Sequence, residues 1–237
     1  MKAFQLKIEG NWAHFKKPET NNNPLTHDFI TKTAFIGLIG AVLGKDRNEM
    51  SELFPILSDD ILYGVQLLNP VKKESWGFTL RKAVNLFEKA PKNMEFLKRP
   101  SYLVSIALGD DRSEDEFNSF LTAIKNNEAK FTPILGLHNC PANLSYESEG
   151  EFSDLRNGRF TAKCFISRNH RIVNISITKH FRVGLDKIPT YQNNDFWNLP
   201  ERYKEVIYPA SDHEIVAEGE YYLYRSKDKE EEYWWLT

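Results

Sequence analysis

The residues best equipped for chemistry lie in one stretch, WAHFKKPETNNNPLTHDFITKTAFIGLIGAVLG, from Trp12 to Gly44. Lys16 and Lys17 are point charges suited to phosphate oxygens. The amides of Asn21, Asn22 and Asn23 can both donate and accept at base edges, and Trp12 and His14 offer rings for stacking or hydrogen bonding. Lys32, where the loop enters the following apolar run, adds another cation. A polar stretch of about fifteen residues is longer than packing requires, and over-long loops on a rigid frame tend to carry binding. The expectation is a nucleic-acid-facing loop that ends in a helix.

Sharper chemistries fail on spacing. GLIGAVLGKD has its first glycine misplaced for a phosphate loop, and Asp46 stands where Ser or Thr would hold Mg²⁺. The histidines at 14, 27, 138, 170, 180 and 213 show no H-E-x-x-H and no pairing with cysteine, so neither a metal nor any other cofactor is expected. Cys140 and Cys164 lack C-x-x-C spacing and read as incidental thiols of a reduced, cytoplasmic protein. Residues 1–10 alternate like a strand rather than a signal peptide, and the longest apolar run, Ala34 to Gly44, is too short to span a membrane. Metal-free RNA cleavage needs a general base for the 2′-hydroxyl and an acid for the leaving oxygen. His14, His27, Tyr102 and His138 have suitable types, but their spacing does not assemble them. His14, between Trp12 and the two lysines, is expected to be the most exposed of them.

Net charge is −2, so attraction to nucleic acid must come from local segregation of charge. From Arg156 to Arg182 there are seven Lys and Arg and no Asp or Glu, and Arg168, His170 and Arg171 lie at its centre. From Val71 to Pro100 there are eight basic and three acidic residues, and there Trp76 and Phe78 stand near Arg81 and Lys82. Aromatics interleaved with cations form a platform for single-stranded nucleic acid. The 5 Trp, 10 Tyr and 16 Phe exceed what a small core demands, which leaves rings for that purpose.

Periodicity supplies the frame. Residues 2–9 alternate as a half-buried strand, and residues 32–44 form a helix whose glycines at 37, 40 and 44 permit close packing on a sheet. Strands are expected near 61–69, 102–108 and 141–148. A helix from Ser113 to Asn126 is expected to be capped by Ser113 with Glu116 completing a capping box. The order is β-α-β-β-α-β, that of ferredoxin-like and RNA-recognition folds, so the class is α+β. Further strands near 160–167, 172–178, 220–225 and 231–236 make a small β-rich C-terminal part. The expected division is 1–148, with an insertion at about 71–100, and 149–237.

The stretch from His14 to Gly44 resembles the N-terminal signature of the CRISPR-associated Cas-five family: an HFRKPET-like loop, a DFPPKTA-like turn and a GLLGAILG-like helix. Ile30 and Thr31 stand where the family's turn shows paired prolines, and YLVSIAL at 102–108 and TPILGLHNCPA at 132–142 add to the likeness. The resemblance implies a non-catalytic RNA-recognition-like subunit of a type I CRISPR interference complex similar to type I-B Cascade. It would bind the 5′ handle of the crRNA and cap the backbone, with the insertion acting as a thumb over the guide. Its neighbours would be the Cas-seven backbone subunit and the Cas-eight large subunit, with target DNA met only indirectly. One branch of the family processes precursor crRNA without metal, and this is the alternative reading.

Overall fold

A computed structural model describes residues 1–81, 89–175, 182–196, 198–211, 213–226 and 230–237. The N-terminal half runs β1 (Lys2–Glu9), β2 (Trp12–Ala13), α1 (Lys32–Leu43), α2 (Arg47–Asp60), β3 (Ile61–Leu67), β4 (Lys73–Arg81), β5 (Lys89–Lys98), β6 (Ser101–Leu108), α3 (Glu114–Lys125) and β7 (Asn143–Phe152). After it come β8 (Arg156–Ala162), β9 (Ile166–Ser167), β10 (Arg171–Ile175), β11 (Val183–Tyr191), β12 (Arg202–Pro209), β13 (Ile215–Ser226) and β14 (Glu232–Trp234). The class is α+β. Of the strand expected near 172–178, residues 176–178 lie outside the described residues.

Four antiparallel strands in the order β7-β1-β6-β3 carry the core, with Phe4 opposite Ile106, Leu6 opposite Val104 and Ile8 opposite Tyr102. The helices pack on that sheet through aromatic contacts: Phe4 meets Phe117 of α3 at 5.2 Å between ring centroids, and Phe35 of α1 stacks on Tyr63 at 6.1 Å. β1 is not half-buried as expected, because its second face is also covered. Gln5 there donates to Ser105 Oγ at 3.0 Å and to Glu232 at 2.7 Å, and accepts from Ser148 at 3.0 Å. The C-terminal segment that brings Glu232 continues through Trp234, which lies against Gly64 of β3. β13 extends the same sheet past β7 and also pairs with β8, β10 and β14.

Two smaller sheets flank this core. One, β2-β5-β4, is the long hairpin of the 71–100 segment with its edge closed by Trp12 and Ala13. The other, β11-β12-β9, packs against α1 and α2.

Helix boundaries follow their caps. Thr31 Oγ1 accepts from Ala34 N at 3.3 Å, and Gly44 ends α1 in the left-handed region at φ 74°. The sequence reading gives no helix at 47–60; α2 starts there with a full capping box, Asp46 accepting from Asn48 and Glu49 while Glu49 accepts from Asp46 N. The box expected at Ser113 is absent. Ser113 Oγ donates instead to buried Asp60 at 2.6 Å, joined there by Arg112 Nε at 3.0 Å, since a buried carboxylate is the stronger acceptor. Of the helix glycines, Gly40 makes the close approach, but to Met50 of α2 rather than to the sheet, while Gly37 faces open space.

These differences set a paired expectation. At Gly136 φ is 89° and an added Cβ would sit 1.9 Å from His14 O, so Gly136→Ala should lose about 2 kcal/mol or more in urea unfolding. Gly37→Ala meets nothing within 4 Å in a helix interior and should gain roughly 0.5–1 kcal/mol.

Candidate nucleic-acid interface

The polar loop between β2 and α1 is pinned to the fold by two carboxylates. Asp186 of β11 accepts from Lys17 Nζ at 2.8 Å and from its neighbour Lys187 N at 2.8 Å, and lies 2.9 Å from His27 Nδ1. Burial by itself would raise its pKa, but the hydrogen bonds and charges of His27 and Lys17 outweigh it and hold the carboxyl at about 2. Asp28 accepts from Lys73 Nζ at 2.8 Å and from Tyr208 OH at 2.8 Å.

Lys73, on β4, ties the loop to the hairpin. Its ammonium also reaches Glu95 at 3.1 Å and Thr26 O at 3.0 Å, and the two carboxylates raise its pKa against the opposing effect of burial. Glu95 of β5 is the hub of the contact: its carboxylate accepts from Thr26 N at 3.1 Å, its amide donates to Pro24 O at 3.0 Å, and its carbonyl accepts from His14 Nδ1 at 2.7 Å. His14 is therefore a buried strut, 3% exposed, and not the exposed ring expected from its neighbours. Its pKa is lowered, chiefly by burial, with the Glu95 carbonyl acting the other way.

What remains outside is a strip shared by loop and hairpin. Exposed Lys16 holds Asn21 Oδ1 at 3.1 Å, Lys92 of β5 bonds Asn22, and Asn93 N donates to Asn23 Oδ1 at 3.1 Å. On one face of the hairpin, Trp76 packs on Phe96 at 4.7 Å and on Trp12 at 4.6 Å, with Lys98 5.7 Å over the Trp12 ring. Phe78, 38% exposed, flanks this cluster at 6.4 Å from Trp76. Arg81 closes β4, whereas Lys82 lies outside the described residues.

The structure thus joins Trp12, Lys16, Asn21, Asn22, Asn23 and Trp76, and separates others. Lys17 is spent on Asp186. Lys32 is buried and lines a different cavity, with residues of α2, β12 and β13. Arg168 and Arg171 pair with Glu205 and Glu218, each at 3.4 Å, rather than with the loop. His170 is buried between the carbonyls of Ser167 at 3.0 Å and Glu220 at 2.7 Å. The sequence reading missed Lys92, Asn93 and Glu95, which its basic, polar hairpin stretch could have suggested. It also missed Asp186, for which nothing local signals a partner 169 residues away.

Of the groups considered for cleavage, His27 and Tyr102 are buried and His138 is exposed. Among the described residues no hydrogen bond joins any two of them, no cluster of three or more His, Cys, Asp or Glu is arranged to hold a metal, and no helix is long and apolar enough to cross a membrane.

A loop laid along a hairpin beside an antiparallel core defines the chain as an α+β protein, and comparison narrows the class. Residues 4–151 match the family described as CRISPR-associated protein (Cas_Cas5), more than half of the 237 residues. The chain belongs to that family. Among solved structures, a CRISPR protein from Archaeoglobus fulgidus is similar at 12% identity and TM-score 0.59, over 99% of this chain and 98% of that one. A chain of a CRISPR RNA-guided surveillance complex is similar at 12% identity and TM-score 0.51, over 90% and 91%. A further CRISPR-associated protein aligns at 14% identity and TM-score 0.40 over 62% of this chain, which spans 66% of that one's length. No protein of curated function matches the chain.

The Asp186 anchor predicts a pH dependence. Because its folded pKa is depressed, its stabilisation is complete above the ordinary Asp range near pH 4 and is lost as pH falls towards about 2. Melting temperatures measured from pH 5 to pH 2 should drop in that window. Asp186→Asn should start lower at neutral pH and lose less between pH 4 and 2.

Proposed function

We propose that this protein is a non-catalytic subunit of a type I CRISPR interference complex, similar to type I-B Cascade, that holds the 5′ handle of the crRNA and caps the backbone. The observation carrying this reading is the fixation of the opening loop along the β4–β5 hairpin by Glu95 and Lys73, which turns two separate sequence segments into one exposed strip. Lys16 and Lys92 supply charge for phosphates, Asn21 to Asn23 supply base-edge donors and acceptors, and Trp76 with Phe78 supplies stacking faces. The hairpin would serve as the thumb over the guide. Family membership favours crRNA as the ligand and the Cas-seven and Cas-eight subunits as neighbours, with target DNA engaged through the assembled complex. The protein would work in the cytoplasm.

The strip predicts how binding fails. Lys16→Ala with Lys92→Ala should weaken binding to every RNA sequence alike and reduce the slope of log affinity against log salt by about 0.7 for each phosphate left without its cation. Substituting Asn21 to Asn23 should mainly erase preference for the matched handle, and Phe78→Ala should cost about 1–3 kcal/mol if a base stacks there. Equal losses on matched and scrambled handles for both sets would refute base reading by the loop. Purified protein incubated with a repeat transcript in chelator should leave it intact; a discrete cut at the handle boundary would establish the processing enzyme instead.

A further inference from the structure

Away from the loop–hairpin strip the structure contains a cavity of about 640 Å³ whose residues the strip does not use. Lys32, at the start of α1, lines it while only 4% exposed; its ammonium has no hydrogen bond or salt bridge among the described residues, and the carboxylates of Asp59 and Asp60 act on it only through their charge. Ser58 of α2 lines it too, and its buried Oγ has no partner among those residues. Two further cations, Arg202 and Lys204 of β12, face the same space. Arg202 is already engaged, bonded to Asp59 and 3.9 Å over the Tyr191 ring, so it frames the site rather than neutralising it. Tyr203 and Tyr222 are half-buried on the walls, and Asp59 and Glu220 put carboxylates there.

We infer that this cavity is a binding site for a phosphorylated ligand of mononucleotide size. The phosphate would meet Lys32, Ser58 Oγ and Lys204, a planar ring would lie on Tyr203 or Tyr222, and Asp59 and Glu220 would accept from sugar hydroxyls. An anion is the occupant that the floor favours: a buried hydroxyl without a partner is costly, an ammonium this buried has only the Asp59 and Asp60 carboxylates acting on it without a hydrogen bond, and one phosphate serves both. The volume falls within the range of small-molecule sites. Burial, with Arg202 and Lys204 nearby and against the opposing charges of Asp59 and Asp60, lowers the Lys32 pKa to about 7, so a bound phosphate would draw a proton onto it.

The test is calorimetric titration of the full chain with AMP, adenosine and inorganic phosphate at fixed ionic strength near pH 7. AMP should bind at least about tenfold more tightly than adenosine, and its heat should change with the buffer's ionisation enthalpy because a proton is taken up. Lys32→Met should abolish AMP binding while leaving the ligand-free melting temperature equal or higher, since a buried ammonium without a hydrogen-bond partner is gone. Lys204→Ala should weaken binding without moving that temperature. The Lys16→Ala, Lys92→Ala variant should bind AMP as the parent does, which separates this site from the RNA strip. Absence of AMP binding, equal affinity for AMP and adenosine, or AMP binding unaltered by Lys32→Met would each overturn the assignment. So would a preference for 5′-phosphorylated over 5′-hydroxyl RNA that disappears in Lys32→Met, because the phosphate would then belong to an RNA end.

Discussion

A carboxylate taken out of water must be given donors and countercharge, and an uncompensated one costs several kcal/mol. Beside the opening loop the fold buries Asp186 and partly buries Asp28, and their partners come from the loop, the hairpin and the flanking β11-β12-β9 sheet at once. Satisfying these two groups therefore fixes the positions of elements far apart in the chain. Lys17 and His27 reach Asp186, Lys73 reaches Asp28 and Glu95, and Tyr208 closes the set. Were any of these elements displaced, a buried or partly buried carboxylate would lose a donor. Charge satisfaction acts here together with the packing of Trp12 and His14 on Trp76 and Phe96 to hold the loop against the hairpin.

The elements with strong local signals are legible in the sequence. β1, α1, β3, β6 and α3 have clear periodicity, and their order already implies an α+β core. α2 is hidden because Asp46 reads as a failed Mg²⁺ position, and because Met50, Leu53, Phe54 and Leu57 are set among polar residues and Pro55. Ser113 has the type of a local cap, but a nonlocal acceptor, Asp60, takes its hydroxyl. β1 reads as half-buried because its second face is covered by residues more than two hundred positions later, which no local pattern encodes.

The candidate site is legible in part, for the same reason. Residue types in the loop point to phosphate and base contacts, but type does not say which cations remain free. Lys16 and Lys17 are adjacent, yet one is exposed and the other is held by Asp186. His14 stands between charged neighbours in the sequence, and its ring nevertheless faces the Glu95 carbonyl and Phe96. Whether a polar side chain serves the fold or a ligand depends on acceptors supplied from elsewhere in the chain.

That division bears on which cations a chain of net charge −2 leaves facing outward. The acids are not evenly spread: Asp28, Glu95 and Asp186 point inward, where they consume Lys17 and Lys73, and so do not oppose the outward Lys16 and Lys92. The inward pairs also set the loop's shape, which under the proposed function would lower the ordering cost of binding. The turn that leads into α1 follows the same logic. It lacks the paired prolines of the family pattern, but Ile30 is fully buried and Thr31 caps the helix. Side-chain burial and a cap hydrogen bond thus restrain the turn where proline rings would otherwise do so.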